Sequence, residues 1–530
     1  MPAQFPPRSP AARIGVPILG GACIAGLSAL LLSSLSLLWV GLLLGAGLAL
    51  ITAFVVSDAL VYWLSLFLLT WPFDISKTFV TSSRAMALEE QFGAPWIPAA
   101  LNLHVMDLAL VPLLGLWLFR KLARRERIWF PRLHYVPLAF LCLITVTAVA
   151  APSPYVASLA LIKLWKYFVI YVFAADTLDV RKVGKPVLAI LMVTLLVQGS
   201  FTLLRYRLQY LEPVFGETFG KVSDKILGED EADARKVAPD EPGSLQRGFG
   251  TFVHANPTAM HLELLLPFAF ALALTSRSRR EKALYASAFA VGAGGLYVTF
   301  SRAGLVAFLV STSVCVVVAT ARRLIPVRAL VLLAGVGLLT GPFLLPRLAA
   351  YLETRPEYST AHVEHLRHGL VIFLSNPVFG VGLNNSSVVR PFVLRQALTA
   401  EESQVPVHSG YLLLLGETGI LGFSLCAGFF LLVGIEAFRR SGSADPYTRT
   451  FAVGTFGAYA AMSVHMMTDY LGTEAFYAMI WLYAGLIVAS RRWELPPARP
   501  GERWHPPAPS RDRSRRGEAR IIRVQHGQPP

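Results

Sequence analysis

Apolar runs broken by short polar or basic connections recur along this chain from Ile14 to Ser490. A transmembrane helix needs about 20 predominantly apolar residues. The runs predict spans near residues 14–35, 37–57, 58–72, 102–119, 134–151, 155–177, 186–204, 257–275, 283–300, 303–320, 328–345, 409–436, 450–469 and 474–490. Short runs near the start can merge in pairs without changing the later orientation, so the expected count is about 12–14. In lipid every backbone polar group must be paired inside the protein. The expected fold class is therefore all-α, a polytopic transmembrane helix bundle.

The connections alternate in charge. Arg120-Lys121-Leu122-Ala123-Arg124-Arg125-Glu126-Arg127, Arg181-Lys182 with Lys185, Arg277 to Lys282, Arg322-Arg323 with Arg328, Arg439-Arg440 and Arg491-Arg492 fall on every second connection. Basic connections mark the cytoplasmic side, so the others face outward. Two of those are long, about residues 205–256 and 346–408. The first holds nine acidic and seven basic residues, and loops of this length in a compact bundle are functional or disordered.

Composition supports this picture. Of 530 residues 54% are hydrophobic and 15% charged, with mean hydropathy +0.54. A soluble chain of this size carries about 25% charged residues. The net charge of +15 is uneven: from Arg491 to Pro530 there are ten Arg against four acidic residues. This division gives a membrane domain at 1–490 and a basic, Pro-rich, disordered cytoplasmic tail at 491–530, near anionic lipid and with no nucleic-acid role. The four cysteines, Cys23, Cys142, Cys315 and Cys426, lie in apolar runs with no metal-ligand or disulfide spacing. Arg8 and Arg13 precede an apolar run without a small-residue cleavage site, so the first span is read as retained.

Three polar residues stand at outward connections. Arg302 occupies the tight hairpin Thr299-Phe300-Ser301-Arg302-Ala303-Gly304, where a guanidinium either snorkels to water or grips phosphate bidentately. Arg247 lies in Gln246-Arg247-Gly248-Phe249-Gly250-Thr251-Phe252, just before His254-Ala255-Asn256-Pro257. His408 opens a span, ten residues before Gly419. An imidazole, with an ordinary pKa of about 6.5, suits a general base near neutral pH. Lys163 and Lys166 are one turn apart inside an apolar run. Cations there mark function by default: they line the same cavity or pair with a buried acid such as Asp469. Glu417 falls on the face of a straight helix opposite His408 and reads as a structural partner in the Gly416–Gly419 turn. His362, Glu364, His365 and His368 lack a further metal ligand at a diagnostic spacing. They read as an amphipathic surface helix on which Arg367 is a candidate donor contact.

The segments RGFGTFVHANPTAM, TFSRAGLVAFLV, NPVFGVGLNN and HSGYLLLLGETGILGF resemble, in order across about residues 245–435, the O-antigen ligase and Wzy-type O-antigen polymerase superfamily. The first half of the chain resembles it only in hydropathy. The resemblance implies that an outer-loop arginine and a hairpin arginine bind a donor pyrophosphate, while the histidine of an H-x10-G motif acts as, or assists, the base. By position these are Arg247, Arg302 and His408. The family's R-x3-L after the hairpin arginine has Val306 in place of Leu here. Arg205 and Arg207 share the loop with Arg247 and compete for its role. With Arg367, Lys163, Lys166, His254, Asn256 and Asn384 they make up the substrate-binding candidates.

The implied activity is a metal-independent inverting glycosyl transfer at the periplasmic face of a bacterial inner membrane, with no cofactor. The donor is an undecaprenyl-pyrophosphate-linked glycan. The acceptor is a growing glycan in a polymerase of O-antigen, capsule or exopolysaccharide, or lipid A–core in a ligase. A chain-length regulator is a further partner to expect. The H-x10-G spacing leans to ligase; the long 205–256 loop and the extra spans lean to polymerase, which stands first. A lipid-linked oligosaccharide flippase is the rival from another class, although its charges belong near mid-membrane.

Overall fold

The computed structural model describes residues 58–73, 76–80, 101–209, 247–252, 255–276, 278–325, 356–394, 407–470 and 473–492. All belong to the larger of two compact units, Met1–Glu494. The smaller unit, Leu495–Pro530, lies outside the described residues, as do the predicted spans at 14–35, 37–57 and 328–345.

The described chain opens with α1 (Ala59–Thr70), β1 (Ser76–Val80), β2 (Leu101–His104) and α2 (Val105–Arg124). A short 3-10 turn at Arg132–His134 leads into α3 (Tyr135–Val149), α4 (Pro154–Thr177) and α5 (Val180–Gln209). Then come α6 (Ala255–Thr275), α7 (Arg279–Val298), α8 (Arg302–Ala321), α9 (Pro356–Ser375) and α10 (Ser386–Leu394). The last three are α11 (Gly410–Arg440), α12 (Pro446–His465) and α13 (Glu474–Ala489).

Most of the described helices occupy the predicted apolar runs, and six of them are long and apolar enough to cross a membrane. This is a multi-pass helical membrane protein. Burial sorts the helices by position: 78% of the α6 window is buried inside the bundle, against 33% for α8 and α11. An apolar helix with an unburied face suits contact with lipid, and one covered all round is central. Close crossings use small residues, as expected where packing replaces the hydrophobic effect between helices. A Cβ on Gly295 of α7 would stand 2.8 Å from the Cα of Gly199 on α5.

Basic residues from alternate connections are tied together at one end. The Asp176 carboxylate receives Lys121 Nζ at 2.9 Å and Trp117 Nε1 at 2.9 Å, and Arg492 donates to its backbone oxygen at 2.9 Å. Glu436 receives Arg440 at 2.7 Å and Arg491 at 2.5 Å. Arg322 donates to the Phe438 carbonyl at 2.7 Å and to Ser441 Oγ at 3.0 Å. Arg491 and Arg492, expected to start the tail, are anchored in the bundle instead.

Other expectations change as well. A two-stranded antiparallel sheet, with Ser76 opposite His104 and Lys77 opposite Leu103, precedes α2, where a span from residue 102 was expected. Leu-Asn-Leu-His alternates with period two, the strand pattern. α5 runs on to Gln209, so Arg205 and Arg207 lie on its last turns and not in a loop; a helix need not end where its apolar stretch does. The second long connection contains α9 and α10.

Candidate functional site

At the end opposite the basic ties, the starts of α6, α8 and α11 meet the end of α12. The four resembling segments form two interlocked pairs there.

The first pair joins Arg247 to the α7–α8 hairpin. Gly248 N donates to the Val298 carbonyl at 2.7 Å, and Arg247 Nε donates to the Thr299 carbonyl at 2.8 Å. The hairpin turns at Phe300, whose φ is 49°. Ser301 caps α8 by accepting from Gly304 N. Arg302 is the first residue of α8 and is half-buried, three residues beyond the carbonyl that fixes Arg247. Arg205 packs its guanidinium 3.6 Å from the Phe249 ring centroid and donates to the Gly250 carbonyl at 3.4 Å. It therefore supports the Arg247 segment from α5.

The second pair explains the glycine ten residues beyond His408. α11 breaks at Gly419, where φ is 64° and ψ −176°. The loop between α9 and α10 lies against this break: Val381 N donates to the Gly416 carbonyl, Gly382 N to that of Glu417, and Ile420 N to that of Pro377. A Cβ on Gly419 would stand 2.3 Å from the Val378 oxygen, and its positive φ disfavours any side chain. Glu417 accepts from Ser386 Oγ at 2.7 Å, a partner on α10 and not within the turn.

A chain of polar contacts connects the two pairs. Arg247 Nη2 donates to Asn256 Oδ1 at 2.6 Å, and Asn256 Nδ2 donates to Asp469 Oδ2 at 2.8 Å. Asp469 Oδ1 stands 3.5 Å from His408 Nδ1. The backbone joins in, with Gly410 N donating to the Asp469 carbonyl at 2.9 Å. Asp469 lies past the end of α12. Burial acts to raise its pKa, but the imidazoles of His408 and His465 beside it outweigh burial and hold the carboxyl below the usual range. An ionised Asp469 facing Nδ1 leaves Nε2 of a neutral His408 as the basic nitrogen.

Sequence reasoning missed several neighbours of His408. Asp469 appeared only as a possible partner for the lysines, and nothing in spacing linked it to a residue 61 positions earlier. The His365 ring stands edge-on to His408 with centroids 4.9 Å apart, and the Tyr470 ring is at 6.0 Å. The amphipathic pattern of α9 was legible, but its packing against α11 was not.

Lys163 and Lys166 form a separate ionic cluster, and Asp469 is not part of it. Lys166 pairs with Glu474, and with Asp107 at 3.2 Å; Lys163 stands 3.1 Å from Glu474, which also faces His104 at 3.3 Å. A cavity of about 780 Å³ lies among α3, α4, α11, α12 and α13, lined by Lys163, Asn384, Tyr411, Tyr470 and Glu474 at one end and by Phe438 and Phe456 at the other. Of the remaining candidates, Arg207 and Arg367 are exposed, and His254 lies outside the described residues.

The family model described as O-Antigen ligase matches residues 287–427. That stretch contains the Arg302 hairpin, the α9–α10 loop, His408 and Gly419. No curated protein matches the chain. Residues 287–427 of this multi-pass membrane protein are thus similar to the family described as O-Antigen ligase, bearing out the resemblance to the O-antigen ligase and Wzy-type polymerase superfamily.

Proposed function

We propose that the protein transfers a glycan from undecaprenyl pyrophosphate to an acceptor hydroxyl at the periplasmic face of the inner membrane. The observation that carries this reading is the continuous contact from Arg247 through Asn256 and Asp469 to His408. It couples a phosphate-binding cation to a base whose orientation is set by a carboxylate.

In the reaction, Nε2 of His408 takes the proton of the acceptor hydroxyl. The oxygen attacks the anomeric carbon as the bond from that carbon to the pyrophosphate oxygen breaks. The pyrophosphate leaves with the bonding electron pair, and Arg247 and Arg302 meet its charge, stabilisation that is strongest where charge develops. A single displacement inverts the anomeric centre. Because the leaving group is already activated, the chain's own cations and imidazole suffice for this scheme. The polyprenyl tail occupies the cavity beside α11, whose far end is apolar.

Two acceptors fit this chemistry. Polymerisation of lipid-linked repeats is the first reading, supported by the long connection at 205–256 and the number of predicted spans. Ligation to lipid A–core is the second, favoured by the family match and by the ten-residue spacing from His408 to Gly419. Deleting the gene and resolving the surface glycan on a gel separates them. Loss of a polymerase leaves single repeats on lipid A–core; loss of a ligase leaves long chains on the carrier lipid.

A further inference from the structure

Beneath Asp469 lies a buried ionisable pair that the transfer scheme does not use. His465, the last residue of α12, places Nδ1 2.9 Å from Oε1 of Glu263 on α6, and both side chains are wholly buried. The other ring nitrogen, Nε2, faces Asp469 Oδ2 at 3.9 Å. The His465 carbonyl also accepts from the backbone N of Thr468 and of Asp469, both at 3.0 Å. His465 thus holds the main chain of Asp469 and stands beside its side chain.

A buried carboxylate–imidazole pair is costly to desolvate, and well-packed apolar residues of similar volume replace such pairs with little loss of stability or even a gain. Stability alone therefore gives weak reason for an ionisable pair here. Its position gives a stronger one. The Asp469 edge that receives Asn256 is the same Oδ2 that faces His465, and the opposite edge faces His408.

We propose that Glu263 and His465 are positioning residues for the transfer. Glu263 fixes the His465 ring, and the ring fixes which edge of the Asp469 carboxylate turns to the base and which to the Asn256–Arg247 arm. The proposal rests on the reading of His408 as the base.

The test is steady-state transfer by purified protein in nanodiscs, with a defined undecaprenyl-pyrophosphate glycan donor and a glycan acceptor. The double replacement Glu263→Met with His465→Leu removes the pair at similar volume. It should give folded protein whose kcat falls about tenfold or more while the donor KM stays within about twofold, since only transition-state alignment is lost. Adding Asp469→Asn should cost little more, because both changes act through one carboxylate. Wild-type kcat in the double variant, or losses that multiply with D469N, would overturn the proposal.

If the double variant does not fold, the near-isosteric E263Q takes its place, and unchanged kcat there overturns the proposal equally. Failure of both to fold also counts against it, since that is the result expected of a purely structural pair. His408→Gln in the same assay keeps the two readings apart. An active H408Q defeats the base assignment, whereas an inactive H408Q beside a fully active double variant defeats only the role of Glu263 and His465.

Discussion

Asp469 grips His408 from two directions: its carboxylate stands 3.5 Å from Nδ1, and its carbonyl accepts from the N of Gly410 at 2.9 Å, at the first residue of α11. Ring orientation and helix start are therefore fixed by one residue. The same carboxylate receives Asn256, which receives Arg247, so disturbing it should affect the base and the cation together.

Replacement of Asp469 by Asn keeps the shape of the side chain and removes its charge. The amide can present a donor to Nδ1 and favour the wrong tautomer. Transfer by purified D469N should fall about 10²-fold, within the range ascribed to a general base, with donor KM little changed. Initial rates at saturating donor check this.

The low pKa of Asp469 also sets a pH dependence. The neighbouring imidazoles of His408 and His465 hold the folded-state value below that of the unfolded chain, where an Asp titrates near about 3.9. A depressed carboxylate contributes stability that is fully present above the unfolded value and lost as pH falls toward the folded one. Thermal unfolding in detergent should therefore show this contribution constant from about pH 5 to 8. Below about pH 4 the wild-type protein should lose stability more steeply than D469N.

Gly419 and His408 share a motif but should fail differently. A Cβ at Gly419 meets the Val378 oxygen at 2.3 Å and adopts a φ of 64°. Gly419→Ala should lower stability by about 1–3 kcal/mol and separate the α9–α10 loop from α11. His408→Ala should lower the melting temperature less than Gly419→Ala does, and abolish transfer. Melting curves and rates on the same preparations distinguish the two.

The lysines should also divide. Lys166 is committed to Asp107 and Glu474, so K166M leaves two carboxylates short of a partner. Removing one member of a buried pair costs about 3–5 kcal/mol, and the partial exposure of Lys166 (21%) reduces that. K166M should lower stability with little effect on donor KM. Lys163 lines the cavity, and K163M should raise donor KM severalfold. Titrating lipid-linked donor against both variants checks the split.

The bundle was legible because lipid forces long apolar helices, and Arg302 and His408 stood out as polar residues at their ends. Arg247 was legible only with the resemblance beside it. What could not be read was pairing across distance. Asn256 and Asp469 meet over 213 residues, and no periodicity encodes that. The pairing of Lys163 and Lys166 with Asp107 and Glu474 was hidden because these carboxylates lie in other helices. The extension of α5 to Gln209 was hidden for a different reason: hydropathy marks the membrane boundary, not the end of the helix.

The most direct test is transfer of glycan from defined undecaprenyl pyrophosphate donor by purified wild-type, R302A and H408A protein of matched folding. The account predicts elongated or ligated product with wild type, and none detectable with either variant over the same time course. Product from well-folded H408A or R302A at the wild-type rate would contradict it.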